Sequence, residues 1–213
     1  MQLKSDFTGA GQPDKTYDNE IQKLLYELTG ADKVITFGIV VRQATPSGPN
    51  YQPPANDVHV DWTESRAHSL AKQQIEKSDD PDFTYSRFKC INLWRTFSPG
   101  PQDYPLAVCD GRSLDSTGSK ANSMIPCDKI PDLKNLENAP SEPVVSEADL
   151  FTYDPKQKWY YFSNMTRDEI LVFTLYDSVK NPMGRCPHVA FLNDEKDTKP
   201  RESVEIRSVV YYK

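Results

Sequence analysis

The feature that most restricts the fold of this chain is a series of eight short segments rich in β-branched and aromatic residues. Such side chains pack well on a pleated surface and therefore favour β-strands. The connectors at 44–57 and 98–103 are rich in proline and glycine and lack the helical pattern of a βαβ array. A mainly β fold of the sandwich or barrel kind is predicted. The expected strands are 33–43, 58–62, 85–97, 104–114, 158–162, 169–178, 187–193 and 202–213.

Other segments predict what surrounds these strands. Between Thr16 and Leu28 apolar residues recur at helical spacing, and Gly30 follows as a natural stop. Residues 63–78 predict a second helix on the outside. The stretch 115–147 has no clear periodicity, so we expect a lid, a binding loop or an insertion. With 213 residues the chain can bury one sizeable core, which predicts a single domain over residues 1–213.

Composition limits the kinds of partner. The net charge is -6 and no basic tract is present, which argues against nucleic acid. No apolar run reaches the about 18 residues of a membrane span, and the first residues lack a secretory pattern, so we expect no membrane and a cytoplasmic location. The four cysteines form no C-x-x-C pair, which argues against a thiolate zinc site and a disulfide framework. A small molecule is the expected ligand.

The stretch VHVDW places His59 and Asp61 two residues apart in a predicted strand. Residues i and i+2 of a strand share a face, so the two side chains converge if the strand bends or ends near the aspartate. They are two ligands of a facial triad, in which two histidines and one carboxylate bind a non-haem ferrous ion. Of the chain's three histidines, His68 lies in a polar helical segment, whereas His188 lies in a predicted strand. The triad is therefore predicted as His59, Asp61 and His188.

A guanidinium and a hydroxyl follow the distal histidine. Arg201 and Ser203 lie on one face of the last predicted strand, and arginine binds carboxylates through two parallel hydrogen bonds. The order H-x-D, distant H, then R-x-S is the one that a 2-oxoglutarate oxygenase on a double-stranded β-helix needs. Each motif alone has a plainer interpretation, since H-x-D occurs by chance and Arg201 to Arg207 alternate like an ordinary polar strand face. Their joint order favours the metal site.

The blocks around these motifs are specific. They are NLWRTFSPGPQDYPLAVCDGRSL (92–114), KWYYFSNMTRDEILVFTLYDS (158–178), CPHVAFLND and PRESVEIRSVVYY. They resemble the family of fungal and bacterial secondary-metabolism proteins that contains the gibberellin desaturase, the aspergillic-acid-type hydroxylase/desaturase and the cephamycin 7-methoxylation component.

The resemblance implies a double-stranded β-helix (jelly roll, cupin-like) with a few flanking α-helices. It implies an oxidoreductase that uses Fe(II), dioxygen and usually 2-oxoglutarate to hydroxylate, desaturate or cyclise a small natural product. The implied iron ligands are His59, Asp61 and His188. The implied co-substrate ligands are Arg201 and Ser203, with Arg207 as a fallback.

Four further residues of these blocks are expected to line a substrate pocket: Trp94, Arg95, Arg112 and Tyr160. Aromatic residues on strands more often belong to the core, and an Arg/Asp pair is more often structural. Two alternatives to the function stay open. One is an iron oxidase that uses no 2-oxoglutarate, and the other is a non-catalytic jelly-roll protein holding a redox-silent ion. Association into a homodimer is also open.

Overall fold

The computed structural model describes residues 15–48, 51–115, 118–124, 146–179 and 184–213. These residues form two β-sheets. Strands β1 (Lys33–Gln43), β2 (Tyr51–Gln52), β4 (Arg87–Thr96), β9 (Leu171–Asp177) and β11 (Glu202–Tyr212) make a five-stranded sheet in the order β2-β1-β11-β4-β9. Strands β3 (His59–Val60), β5 (Leu106–Cys109), β6 (Ser119–Met124), β7 (Ser146–Phe151), β8 (Trp159–Tyr161) and β10 (His188–Ala190) make a six-stranded sheet in the order β6-β7-β3-β10-β5-β8.

Each of the eight expected strands contains a strand of the structure. The first matches end to end, whereas the segment 104–114 is extended only as far as Cys109. There the side chain of Asp110 accepts a hydrogen bond from the Arg112 amide and caps a short 3₁₀ helix, Gly111–Ser113, that ends the strand. The mainly β prediction is confirmed.

Helix α1 (Lys15–Thr29) covers the outer face of the five-stranded sheet. Tyr17, Ile21 and Leu25 repeat every fourth residue, are at most 1% exposed, and pack in one cluster with outer-face residues such as Val204 and Ile206. The helix ends before Gly30, as predicted. Gly30 has a φ of 62°, and its amide donates a hydrogen bond to the Tyr26 carbonyl.

Helix α2 (Glu64–Glu76) begins directly after β3. Thr63 is its N-cap, since the Thr63 hydroxyl accepts a hydrogen bond from the Arg66 amide. The helix buries one face, including Leu70 and Ile75, in the core cluster shared with both sheets. The chain therefore turns sharply between His59 and the helix cap.

The segment 115–147, expected to be a lid, a binding loop or an insertion, contains a strand. Residues 119–124 form β6, which pairs antiparallel with β7, and β7 pairs with β3 beside His59. The polar sequence SKANSM has little β propensity, so this strand is held by pairing and was not visible in the pattern. Residues 116–117 and 125–145 of the segment lie outside the described residues, as does the expected role as a lid.

Strand β11 alternates between the two faces of its sheet. Val204, Ile206 and Val210 face α1, while Val209 and Tyr211 join the cluster between the sheets. Arg201, Ser203, Glu205 and Arg207 continue that inner row toward the six-stranded sheet, where His59 and His188 lie. Neither α1 nor α2 is long and apolar enough to span a membrane.

Candidate metal centre and adjoining cleft

The two predicted histidine ligands are direct cross-strand neighbours. His188 on β10 pairs with His59 on β3 in an antiparallel ladder, and their ring centroids are 4.4 Å apart. Residues opposite each other on antiparallel strands project their side chains from the same face, so the pairing brings both imidazoles together. Phe173 packs against the His188 ring at 4.9 Å between centroids and limits its movement.

Asp61 completes the cluster because β3 ends at Val60. The chain then turns into α2, and the carboxylate comes back against both rings. Its Oδ1 lies 3.4 Å from His59 Nε2 and 3.6 Å from His188 Nε2. One ligand atom from each of the three residues lies within 4.8 Å of the others. Within the described part of the chain no other group of histidine, cysteine and acidic residues is gathered in this way.

The hydrogen bonds of the imidazoles leave the right atoms free for a metal. His59 Nδ1 lies 2.7 Å from the Asp57 carbonyl, and His188 Nδ1 lies 3.2 Å from the Cys186 carbonyl. A carbonyl only accepts, so each Nδ1 carries the proton and each Nε2 presents a lone pair. His188 is 3% exposed, and its Nε2 makes no hydrogen bond to any described residue. A buried, unpartnered acceptor that faces a carboxylate and a second imidazole fits a divalent cation.

The other oxygen of Asp61 is bound by the protein. Oδ2 accepts a hydrogen bond from Arg207 Nε at 2.9 Å and a longer one from Asn92 Nδ2 at 3.4 Å. Burial raises the pKa of Asp61, but the charge of Arg207 and then the two imidazoles outweigh it and hold the pKa well below its ordinary value. Asp61 is therefore an anion ready to bind a cation. Arg207, expected as a fallback ligand of the co-substrate, donates to the carboxylate of the cluster, and its contact with a co-substrate stays a prediction.

His59 responds to the same carboxylate. Burial lowers its pKa, but the hydrogen bond and charge of Asp61 outweigh burial, and the pKa of His59 is raised. The same negative charge favours a bound divalent cation.

A narrow cleft lined by both histidines extends from them to Arg201. Arg201 is 2% exposed, donates from Nε to Ser203 Oγ at 2.9 Å, and donates from Nη1 to the Tyr104 carbonyl at 3.1 Å. Among the described residues no carboxylate lies within ion-pair distance of its guanidinium, and Nη2 makes no hydrogen bond. Burial, and then the charge of Arg42, lower the pKa of Arg201 to about 9. A buried guanidinium that forms no direct ion pair with a described residue fits an anionic ligand.

Two charged residues of this cleft were missed in the sequence. Arg42 on β1 lines it, donating to the Pro53 carbonyl at 2.8 Å. Glu205, 5% exposed, lies between Arg42 and Arg207, with carboxylate oxygens 3.9 Å from Arg42 Nε and 3.1 Å from Arg207 Nε. The alternation of Arg201, Ser203, Glu205 and Arg207 contained the signal for Glu205, but a polar strand face gives the same pattern.

Of the four expected pocket residues, only Trp94 lies at this site. It is 3% exposed on the inner face of β4, opposite Glu205, and the Arg201 guanidinium lies 5.1 Å from its ring centroid. It therefore supports the arginine by a cation–π contact.

The other three lie away from His59 and Arg201, and their contact with a substrate stays a prediction. Arg95 follows Trp94 directly and thus points to the outer face, where it bonds the Arg167 carbonyl and packs over Phe97. Arg112 is held by the two carboxylate oxygens of Asp110, with its side chain 68% exposed. Tyr160 is 56% exposed on β8, an edge strand.

The geometry agrees with the proteins that this chain is similar to. A family model described as "Oxidoreductase/YMDC permease-like domain" matches residues 1–211. The Fe(II)/2-oxoglutarate-dependent dioxygenase nvfI of Aspergillus novofumigatus is 30% identical over 211 residues, which cover 98% of this chain and 70% of that protein. The hydroxylase/desaturase efuI of Hormonema carpetanum is 31% identical over 211 residues, covering 92% of this chain and 70% of that protein.

A solved structure gives the same answer for the fold. The iron and alpha-ketoglutarate-dependent endoperoxidase NvfI superimposes with a TM-score of 0.79 and 28% identity, over 93% of this chain and 69% of that one. These matches confirm the jelly-roll prediction and the predicted Fe(II)/2-oxoglutarate chemistry at the level of the family. The chain belongs to this family of fungal Fe(II)/2-oxoglutarate-dependent dioxygenases and hydroxylase/desaturases, whose sequence model bears the description Oxidoreductase/YMDC permease-like domain.

Proposed function

We propose that this protein is an Fe(II)/2-oxoglutarate-dependent dioxygenase that hydroxylates, desaturates or oxidatively cyclises a small molecule of secondary metabolism. One observation carries the proposal. A cluster of two imidazoles and a carboxylate shares a narrow cleft with a buried arginine that has no carboxylate partner among the described residues. A cation site beside an anion site suits a ferrous ion and a keto acid with a second carboxylate.

The metal would be held by His59, Asp61 and His188. The backbone carbonyls of Asp57 and Cys186 contact the Nδ1 atoms and so orient both Nε2 atoms toward Asp61, and Arg207 keeps Asp61 ionised. When bound, iron supplies the one-electron chemistry with dioxygen that none of these side chains can perform.

The co-substrate would be held by Arg201. Its Nε and Nη1 are already bound to Ser203 and Tyr104, so Nη2 remains to donate to the distal carboxylate. Ser203 thus orients the guanidinium and need not touch the ligand. Arg42 lines the same cleft and brings a second positive charge, which also favours a dicarboxylate over a neutral ligand.

The substrate is a small molecule, and its identity is left open by the described residues. The name of one relative states an endoperoxidase and that of another a hydroxylase/desaturase, so related chains differ in the outcome of the oxidation. We propose the narrower group of the gibberellin desaturase and the cephamycin component on the sequence blocks alone. We also propose residues 1–213 as one jelly-roll domain.

The test is an anaerobic titration of the metal-free protein, first with Fe(II) and then with 2-oxoglutarate. Visible absorption spectra are recorded after each addition. A weak charge-transfer band that needs both additions is expected, and His59→Ala should abolish it. His68→Ala is the matched control, because His68 is exposed and bonds Tyr176 away from the cluster.

The other outcomes separate the alternatives. Iron binding without the band would support an oxidase that needs no keto acid. Tighter binding of zinc with no iron-dependent turnover would support a redox-silent site. Failure to bind either metal would refute the proposal.

A further inference from the structure

The two carboxylate oxygens of Asp61 have different surroundings. Oδ1 faces the free Nε2 atoms of His59 and His188, whereas Oδ2 is turned away from them and accepts hydrogen bonds from Arg207 and Asn92. A charge-assisted bond at 2.9 Å fixes an oxygen firmly. Only one oxygen of Asp61 is therefore free to bind a cation.

Arg207 is itself held on several sides. Its Nε also lies 3.1 Å from Glu205 Oε1, and its guanidinium lies 5.9 Å from the Trp62 ring centroid. Trp62 directly follows Asp61, so the arginine contacts the same turn twice. Buried charges of this kind need fixed partners on each side.

The backbone of β1 is irregular beside this side chain. A β-bulge interrupts the pairing of β1 with β11 between Phe37 and Val40, and Gly38 within it has a φ of 60°. A Cβ at Gly38 would lie 3.4 Å from Arg207 Cδ. Glycine suits the position because it adopts positive φ without strain.

We propose that Arg207 is a positioning residue that restricts Asp61 to one metal-binding oxygen and so leaves a coordination position for the co-substrate. This inference rests on the proposed function, since it requires a metal at the cluster. If Oδ2 were released, the carboxylate could bind the ion through both oxygens and occupy the position that a keto acid needs. Arg207 would then act on co-substrate binding without touching the co-substrate.

The experiment compares Arg207→Met and Arg207→Lys with the unchanged protein. Anaerobic titration with Co(II), followed by its visible absorption, gives the metal affinity. Titration of the Fe(II)-saturated protein with 2-oxoglutarate gives co-substrate affinity. We expect Arg207→Met to weaken Co(II) binding by about 10–100-fold, the usual loss for a partner of a metal ligand. When saturated with Fe(II), Arg207→Met should need about tenfold more 2-oxoglutarate than the unchanged protein for half-maximal binding. Arg207→Lys, which retains the charge, should recover part of both losses.

Arg87→Met is the matched control for lost stability. Arg87 binds Asp177 through two hydrogen bonds of 3.0 and 2.6 Å at the far end of β4, away from the cluster. Thermal unfolding of all samples shows whether each variant is folded. A stability loss shared with Arg87→Met, with unchanged Co(II) and 2-oxoglutarate binding, would overturn the inference. If Arg207→Met does not fold, wild-type binding by Arg207→Gln would overturn it.

Failure of the proposed function looks different. In that case the unchanged protein binds neither Co(II) nor Fe(II), and no variant needs to be compared.

Discussion

The inner face of β11 has two halves that differ in kind. The site half runs from Ser203 to Arg207 and is preceded by Arg201, and its charged and polar side chains face the metal cluster and its cleft. The core half consists of Val209 and Tyr211, which are both buried in the cluster between the sheets. The Tyr211 hydroxyl donates a hydrogen bond to the Ala71 carbonyl at 2.8 Å, so this half leaves no space for a ligand. One strand therefore borders both a cleft that can bind ligands and a core that only stabilises the fold.

The surroundings of the site half leave polar atoms unsatisfied. His188 Nε2, Trp94 Nε1 and Asn92 Oδ1 are buried and make no hydrogen bond to any described residue. Each such atom costs stability, so this half contributes less to the fold than its burial suggests. Substitutions around the two halves should consequently separate activity from stability.

The largest effect is expected for His188→Ala. The substitution removes a proposed metal ligand, so turnover should fall below about a thousandth of wild type. This ratio corresponds to an increase of about 4 kcal/mol in the activation free energy. The free energy of unfolding of the metal-free protein should change by only about 1 kcal/mol. Turnover with Fe(II) and urea unfolding measure the two quantities. Retention of wild-type turnover would remove His188 from the site.

Leu175→Ala should give the reverse pattern. Leu175 is fully buried in the same cluster as the core half, and truncation of such a leucine costs about 3 kcal/mol through lost burial and the cavity that remains. Urea unfolding should show this loss, while Co(II) affinity of the folded protein should be unchanged. A drop in Co(II) affinity equal to that of His188→Ala would show that the two halves are not separate.

Arg201→Ala should affect the co-substrate alone. Loss of a charged hydrogen-bond donor costs about 2 kcal/mol, so the 2-oxoglutarate concentration needed for half-maximal turnover should rise about 30-fold. Iron affinity should not change, because the described contacts of Arg201 do not include the cluster. Arg42→Met tests the second cation and should give a smaller rise. An unchanged requirement in Arg201→Ala would point to a reaction without 2-oxoglutarate.

Much of this architecture could be predicted from the sequence. The strands were visible because branched and aromatic residues are grouped between turns, and Gly30 marked the end of α1. His59 and Asp61 are close in the chain, and His188 could be chosen because the chain has only three histidines. Their roles stay predictions, although the structure places all three side chains in one cluster.

The remainder depends on register, which the sequence does not contain. Nothing in the segment 33–43 indicates that Arg42 shares a cleft with Arg201, because this arrangement results from the pairing of β1 with β11. Likewise the hydrogen bond from Arg207 to Asp61 joins residues 146 positions apart, so it results from the fold and not from a local pattern. Arg95 was misplaced for a simpler reason, since neighbouring residues of a strand face opposite sides and Trp94 occupies the inner one.

The smallest effect is expected far from the site, for Asp177→Asn. Burial raises the pKa of Asp177, but the hydrogen bond from Arg87 and that from the Val179 amide outweigh burial, and its pKa is lowered. A carboxyl group with a lowered folded-state pKa stabilises the fold above its unfolded pKa, and this stability is lost as the pH falls through the folded value. The substitution should therefore cost about 1 kcal/mol at pH 7, and the difference should shrink as the pH falls below about 4.

Urea unfolding of both proteins between pH 7 and pH 2 measures this difference. Asp79→Asn is the matched control, since Asp79 also bonds a cation, Lys33, but its side chain is 92% exposed. Because solvent screens this exposed ion pair, Asp79→Asn should leave the urea unfolding curve unchanged at every pH. A difference for Asp177→Asn that is constant across the range would mean that the cost arises from packing and not from charge. The Arg87–Asp177 pair would then resemble the core half, where packing stabilises the fold, rather than the site half, where charge determines what can bind.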